Sequence, residues 1–251
     1  VEGRSQGVPA LAAELAALLS EPGGKHAPYP GAENDLLLRW EEWRRRPSRH
    51  VSRAADQLKE LVGAGGDGER KTDGIPALLL SVYPDRLCRR RRPNDPQAKM
   101  AGGRGVKLHP DSSVKSSEFF LALEVSEGRD AAEALVFQAV GLPPELVEKR
   151  ILPLAIPAKE LDWDDEKQRF YVIETKVWQE LSVGKEHRRP AEAAETEGHL
   201  AELALRRWDW LLAGNEELGR WVSRLRFLHK AAPKWPLLTE EQIRQGLEQA
   251  C

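Results

Sequence analysis

The chain has 251 residues, 41% of them hydrophobic, enough to build a core and to exclude wholesale disorder. With 38 Lys and Arg against 40 Asp and Glu the formal net charge is −2, so no whole-chain field holds a polyanion and any nucleic-acid site must be a local patch. Two distant cysteines, Cys88 and Cys251, exclude a disulfide framework or a cysteine zinc site and point to free thiols in the cytoplasm, while the lack of a span-length apolar run or signal-peptide pattern points away from a membrane partner.

Residues 1–82 read as helical. Leu11, Leu15, Leu18 and Leu19 share one face, and a Pro- and Gly-rich loop follows from Pro22 to Gly31. Leu36, Leu37, Trp40 and Trp43 form the next stripe, which ends before Pro47. Ser48 is placed to cap a helix whose apolar face is Val51, Ala54, Ala55, Leu58, Leu61 and Val62. Gly63 to Gly68 breaks it. Thr72 then caps a short helix that buries Ile75, Leu78, Leu79 and Val82, with Pro76 in the first turns, where its ring is tolerated.

From Tyr83 the pattern changes to strands. Arg86 to Arg92 is one, and Gln97 to Ala101 and Arg104 to His109 flank a turn at Gly102-Gly103. Glu118 to Ser126 is aromatic and aliphatic, and Ala131 to Val140 follows a turn at Gly128. Pro143 opens a short helix running to Arg150. Ala158 to Trp163 and Gln168 to Leu181 make a hairpin around Asp164-Asp165-Glu166-Lys167. Strands, one short helix and two more strands are the layout of a small five-stranded OB-like barrel, although that order also fits other small barrels.

Gly184 to Gly198 reads as a linker or a frayed helix start. Beyond it, Leu200, Leu203, Ala204, Trp208, Leu211 and Leu212 line one helix, and Leu218, Trp221, Val222, Leu225 and Leu228 line another, closed by Pro233 and Pro236. Thr239 and Gln242 form a capping box ahead of Ile243 and Leu247. The expected fold class is α+β and multidomain: a helical part over 1–82, an OB-like β-barrel over 83–184 and a helical extension over 185–251. The chain opens at Val1, its only methionine is Met100, and it stops at Cys251 inside an apparent helix. Both ends read as cuts, so a longer parent protein is expected.

The familiar catalytic motifs are missing from the sequence. It contains no G-x-x-x-x-G-K-[ST] loop, G-x-S-x-G, H-E-x-x-H or paired Cys-x-x-Cys. Gly63, Gly65 and Gly68 match G-x-G-x-x-G by letter, but they follow a helix rather than a strand and read as a plain loop. The six histidines stand apart from other metal ligands, and His109, before Pro110, reads as a hydrogen-bonded structural residue. Asp164, Asp165 and Glu166 sit where acidic residues serve turns. No catalytic residue, cofactor site or metal site is assigned.

The positive signal is basic. Arg86, Arg89, Arg90, Arg91 and Arg92 crowd seven positions, and in a strand Arg90 and Arg92 face one way with Arg89 and Arg91 opposite. Both faces cannot be buried, because an unpaired buried charge is costly, so at least one meets solvent, an acidic partner or phosphate. Guanidinium suits phosphate through its bidentate fork, and four contacts to a single strand give a salt slope of roughly −2.8. The competing reading is an edge strand protected by charge. Arg39, Arg44, Arg45, Arg46, Arg49, His50 and Arg53 form a second basic patch, diluted by Glu41 and Glu42, that reads equally as a wet helix face. Trp163, Phe170 and Tyr171 are either core residues or a stacking surface.

Ala77 to Arg91, a helix ending in Tyr83-Pro84-Asp85-Arg86 and then a basic strand, followed by Met100 to Leu108 with its Gly103-Arg104-Gly105, resembles the region behind the motor of bacterial HrpB-type DExH helicases. Leu15 to Glu21 and Asp35 to Arg39 are similar to the family's helicase-associated helical domain, and Val222 to Leu228 with Trp235-Pro236 to its helical extension. The resemblance implies a parent ATP-dependent RNA helicase with two RecA-like domains, a ratchet-like helical segment over 1–82 and an OB-like barrel over 83–184. The family's nucleotide-binding and DExH residues have no counterpart here, so ATP and Mg²⁺ would belong to the missing motor and this chain would be inert toward ATP.

The resulting expectation is an accessory part that lines a single-strand channel, with Arg86, Arg89, Arg90, Arg91, Arg92, Arg104 and Lys107 as nucleic-acid contacts. The partners expected are single-stranded RNA, or DNA, and the parent's own RecA-like domains. The alternatives are a docking module whose arginines pair with acidic side chains, and a free-standing single-strand-binding protein.

Overall fold

In a computed structural model of the chain, residues 2–5, 7–21, 31–64, 72–126, 133–234, 239, 241–243 and 245–246 are described. Pro22 to Pro30, Gly65, Gly68, Gly128, Trp235-Pro236, Leu247 and Cys251 lie outside them. The apolar stripes fold as α1 (Glu2–Ser5), α2 (Pro9–Leu19), α3 (Asp35–Arg45), α4 (Arg49–Leu61) and α5 (Ile75–Val82). The caps follow the sequence. Ser48 accepts the N–H of Val51, and Asn34 accepts that of Leu37, satisfying amides that a helix start leaves open. Two stripe ends differ from expectation: Leu61 and Val82 are exposed, because each sits in the last turn of its helix, past the packed face.

The basic and aliphatic segments fold as β1 (Leu87–Arg90), β2 (Gln97–Met100), β3 (Gly105–Leu108), β4 (Phe119–Ser126) and β5 (Ala134–Leu142). They close a barrel in the order β1-β2-β3-β5-β4, with β3 and β5 parallel and the other pairs antiparallel. Closure leaves no edge strand to protect. The barrel is therefore complete by Leu142. The short helix α6 (Pro144–Arg150) follows it, and the later hairpin is not one of its staves.

That hairpin, β6 (Ile156–Asp164) and β7 (Arg169–Trp178), belongs to a second sheet, in which β8 (Leu181–Ser182) and β9 (His187–Pro190) both pair with β7. The stretch read as a linker thus holds β9 and the short helix α7 (Ala193–Thr196). The stripe from Leu200 to Leu212 breaks at Arg207 into α8 (His199–Arg206) and α9 (Trp208–Gly214), before α10 (Glu216–Ala231). Among the described residues no helix is long and apolar enough to cross a membrane.

The chain divides into two compact units, Val1–Ala158 with Thr175–Glu186, and Lys159–Glu174 with His187–Cys251. In the first unit two cores meet at the barrel wall. Cys88, Ala98, Val106, Phe120, Ala122 and Val136 fill the barrel. Leu87, Phe119, Leu121, Val140 and Leu142 point outward into a core shared with Leu11, Leu15, Leu36 and Leu79 of the helices. The run Phe119 to Val125 is apolar at nearly every position because the inner face of β4 fills the barrel while the outer face meets the helices. Burial pushes the Cys88 thiol well above its ordinary range, which leaves it inert.

Two carboxylates at the start of α3 tie the helices to the barrel. Asp35, fully buried, accepts the Ser112 hydroxyl at 2.7 Å and the N–H groups of Ser113 and Ala139 at 2.6 and 2.9 Å. Glu33 accepts the N–H groups of Lys115, Ser116 and Ser117 at 2.8–3.0 Å. The loop between β3 and β4 is thereby held at one end of the barrel.

In the second unit Arg189 of β9 bridges Glu174 of β7 and Glu195 of α7, at 3.0 and 2.6 Å. Hydrogen bonding to Arg189, with a smaller contribution from the N–H of Glu192, holds the Glu195 carboxyl at about 2. The Thr239–Gln242 capping box is present, with Thr239 N–H donating to Gln242 Oε1 at 3.2 Å and Gln242 N–H to Thr239 Oγ1 at 3.3 Å.

Candidate nucleic-acid interface

Strand alternation sorts the arginine run into three environments. β1 ends at Arg90, with Cys88 and Arg90 inward and Leu87 and Arg89 outward. Arg90 is only 6% exposed. Its guanidinium donates to the carbonyls of Ser117 (2.7 Å), Val114 (2.9 Å) and Asp95, and lies 5.5 Å over the Phe120 ring. Burial lowers its pKa, and Glu33 and Asp95 oppose that shift. Arg90 thus closes the barrel end by joining two loops, and its fork is already occupied by backbone acceptors.

Arg89 is half-buried on the outer face. It donates to Glu118 (2.9 Å), Glu186 (3.0 Å) and the Ser182 hydroxyl (2.8 Å). Arg91 and Arg92 lie beyond the strand, in the turn before β2, and both are exposed. Arg91 reaches Glu133 at 3.3 Å. Arg86 ends the turn after α5 and sits 3.6 Å from Asp85. Arg104 is exposed at the β2–β3 turn, and Lys107 is exposed on β3.

Register brings part of this set together. Arg89 and Lys99 are Cα partners across β1 and β2, and Gln97 and Lys107 are partners across β2 and β3. Side chains of directly opposed residues share a face. Arg89, Lys99 and Lys107 therefore form a basic strip across three strands. At its β1 end a cleft of about 630 Å³ is lined by Arg89, Arg91, Arg92, Lys99 and Ser116, with Glu118 and Glu186 on its wall. Lys99 joins the basic residues that the sequence marks. The signal was there, since Gln97 and Lys99 alternate with apolar Ala98 and Met100, an outward basic position opposite an arginine strand.

The turn at Gly102-Gly103 has φ of +81° and +84°, a region that suits glycine. It lies against the β7–β8 turn, where Gly102 N–H donates to the Gln179 carbonyl at 2.7 Å.

Asp164 accepts the N–H of Lys167 at 3.0 Å, and this bond together with Arg188 lowers its pKa. Asp165 pairs with Arg207, whose hydrogen bond lowers its pKa, and also accepts the Trp163 indole N–H. These carboxylates serve a turn and ion pairs. Trp163 and Phe170 pack edge to face at 4.9 Å, and Arg188 lies 3.9 Å over Tyr171. In the second basic patch, Arg44 lies 5.3 Å over Trp40 and Arg39 donates to the Glu21 carbonyl, while Arg45, Arg46, Arg49, His50 and Arg53 are exposed. Among the described residues no group of His, Cys, Asp and Glu is placed to hold a metal ion.

No family model matches the chain. A curated relative, ATP-dependent RNA helicase HrpB of Escherichia coli (strain K12), is 27% identical over 255 residues, which covers 99% of this chain and 29% of that protein. The crystal structure of E. coli DExH-box NTPase HrpB matches with a TM-score of 0.53 at 24% identity, over 95% of this chain and 28% of that one. That of Escherichia coli DEAH/RHA helicase HrpB matches with a TM-score of 0.51 at 20% identity, over 95% of this chain and 29% of that one. At those identities the two structures speak for the fold. The chain spans under a third of the length of the relatives it matches. By sequence along nearly its whole length, and by its α+β fold with a closed five-stranded barrel, the chain is similar to a part of HrpB that makes up under a third of that protein.

Proposed function

We propose that this chain is an accessory part of an ATP-dependent RNA helicase and that it grips single-stranded RNA on the outer face of its barrel as the strand leaves the motor. The observation that carries this reading is the alignment of Arg89, Lys99 and Lys107 across β1, β2 and β3, running into a cleft edged by Arg91 and Arg92. Cations spaced along a groove follow a phosphate backbone without reading sequence. Arg86, in the turn before β1, and Arg104, in the turn before β3, are further candidate contacts. Arg90 supports the strip from inside the barrel. ATP and Mg²⁺ act in the RecA-like domains, to which this chain contributes no nucleotide-binding motif.

The test is fluorescence titration of the chain with labelled single-stranded RNA at two salt concentrations. The expected result is binding that weakens with salt at a slope of roughly −2 to −3, three or four phosphates at about 0.7 each. Absence of binding at low salt would overturn the reading.

One observation favours docking on a protein instead. Arg89 already engages Glu118 and Glu186, and Arg91 engages Glu133, so this face accepts carboxylates. On that reading the motor domains supply the acidic partner, and charge reversal at Lys99 and Lys107 weakens a complex with them while RNA has no effect.

A further inference from the structure

The outward faces of β3 and β5 carry a feature that the basic strip does not explain. The two strands pair in parallel, with Lys107 opposite Leu135 and Leu108 opposite Val136. Leu108 and Val136 point into the barrel, so Lys107 and Leu135, and two residues on His109 and Phe137, point out. Phe137 is the exposed residue of β5, at 39%. The His109 imidazole stacks on its ring, with centroids 4.9 Å apart and planes 28° from parallel.

His109 is held in that pose. Its backbone N–H donates to the Val136 carbonyl at 2.8 Å, and the N–H of Asp111 donates to its Nδ1 at 3.2 Å. The Asp111 carboxylate stands 3.6 Å from the same Nδ1. The result is an ordered stack of two flat rings in water, one strand position from an exposed lysine.

We propose that His109 and Phe137 form a base-stacking platform for single-stranded nucleic acid, with Lys107 supplying the adjacent phosphate contact. This rests on the reading of the barrel face as a single-strand site. Every base has a π-face, so such a platform is tolerant of sequence. Arg89 pairs with Lys99, Lys99 with Gly105, and Val106 with Ala134, so Phe137 lies three strand spacings across and four residues along from Arg89. That is roughly 14 Å by 13 Å, or about 19 Å over the barrel surface, so a strand running obliquely over β2 and β3 reaches both the basic cleft and the platform. A protein partner fits less well, because Phe137 and the half-buried Leu135, bordered by Lys107, His109 and Asp111, offer little apolar area to bury.

The experiment uses the full chain and a short single-stranded RNA carrying 2-aminopurine, whose fluorescence falls on stacking, with the same oligonucleotide as DNA in a parallel arm. The variants are Phe137→Leu, which keeps an apolar side chain and removes the π-face, and Phe137→Trp, which keeps it. The expected result is that Phe137→Leu weakens binding roughly 5- to 100-fold and abolishes the fluorescence change, while the salt slope stays as in the wild type, because a stack releases no counterions. Phe137→Trp binds like the wild type, and RNA and DNA show the same loss. If the wild type binds and Phe137→Leu binds equally well with the same fluorescence change, the platform is overturned and the basic face stands. If the wild type binds neither oligonucleotide at low salt, both inferences fall.

Discussion

Glu33 and Ser117 are joined twice: the carboxylate accepts the serine N–H at 3.0 Å and its hydroxyl at 2.7 Å. With Ser116 and Lys115 donating to the other oxygen, an acid just ahead of α3 holds the loop that closes the barrel. Burial alone would raise this carboxyl, but the hydrogen bonds from Ser117, Ser116 and Lys115 outweigh it and hold the pKa at about 2, against an ordinary 4.5.

A pH dependence follows from that depression. The folded pKa is below the unfolded one, so the contribution of Glu33 is complete above about 4.5 and is lost as pH falls toward about 2. Discounted for partial exposure it is on the order of 1–2 kcal/mol. Urea unfolding of Glu33→Gln should show a loss of that size at pH 7 and a shallower decline than the wild type between pH 4.5 and 2.5. Parallel acid profiles for the two proteins would contradict this.

Arg90 should behave as a structural residue. Arg90→Lys removes the fork that holds three carbonyls and leaves buried acceptors short of donors, a loss of roughly 2–3 kcal/mol. RNA affinity, corrected for the folded fraction, should stay within about two-fold of wild type. A large affinity loss in a variant of unchanged stability would place Arg90 at the ligand instead.

Lys99 should behave in the opposite way. It is exposed in the middle of the basic strip, so Lys99→Ala should leave the unfolding midpoint nearly unchanged, within about 0.5 kcal/mol. It should also reduce the salt slope for single-stranded RNA by about 0.7. An unchanged slope would remove Lys99 from the contact.

Much of this was legible because local chemistry and global packing agree. Ser48, the Thr239–Gln242 box and the Gly102-Gly103 turn are short-range signals whose partners lie within a few residues, and all three are formed. The barrel's presence was readable from strand spacing, but its membership was not. Which strand closes on β1 is decided by long-range pairing of Cys88 with Phe120, and no local pattern distinguishes that pairing from one with β7. The fate of the arginines was hidden for a related reason. Alternation correctly put Arg89 and Arg90 on opposite faces, but which face is the barrel interior depends on where β4 lies. The Glu33 and Asp35 contacts, which reach residues about 80 to 100 positions away, left no pattern to read.

The glycine pair separates two costs that are usually mixed. Gly102 has φ +81° with nothing within 4 Å of a built Cβ, so Gly102→Ala should lose only the left-handed penalty, about 1 kcal/mol. Gly103 has φ +84°, and a Cβ there would overlap the Glu180 carboxylate. Gly103→Ala should cost only a little more than Gly102→Ala, because the atom that must move is the end of an exposed, flexible Glu180 side chain. Glu180→Ala clears that space, so the double variant Gly103→Ala/Glu180→Ala should recover the excess and match Gly102→Ala. Denaturant midpoints of the wild type, the three single variants and the double variant measure these differences. Strict additivity of the two substitutions would mean that the turn yields on its own and that Glu180 does not hold it in place.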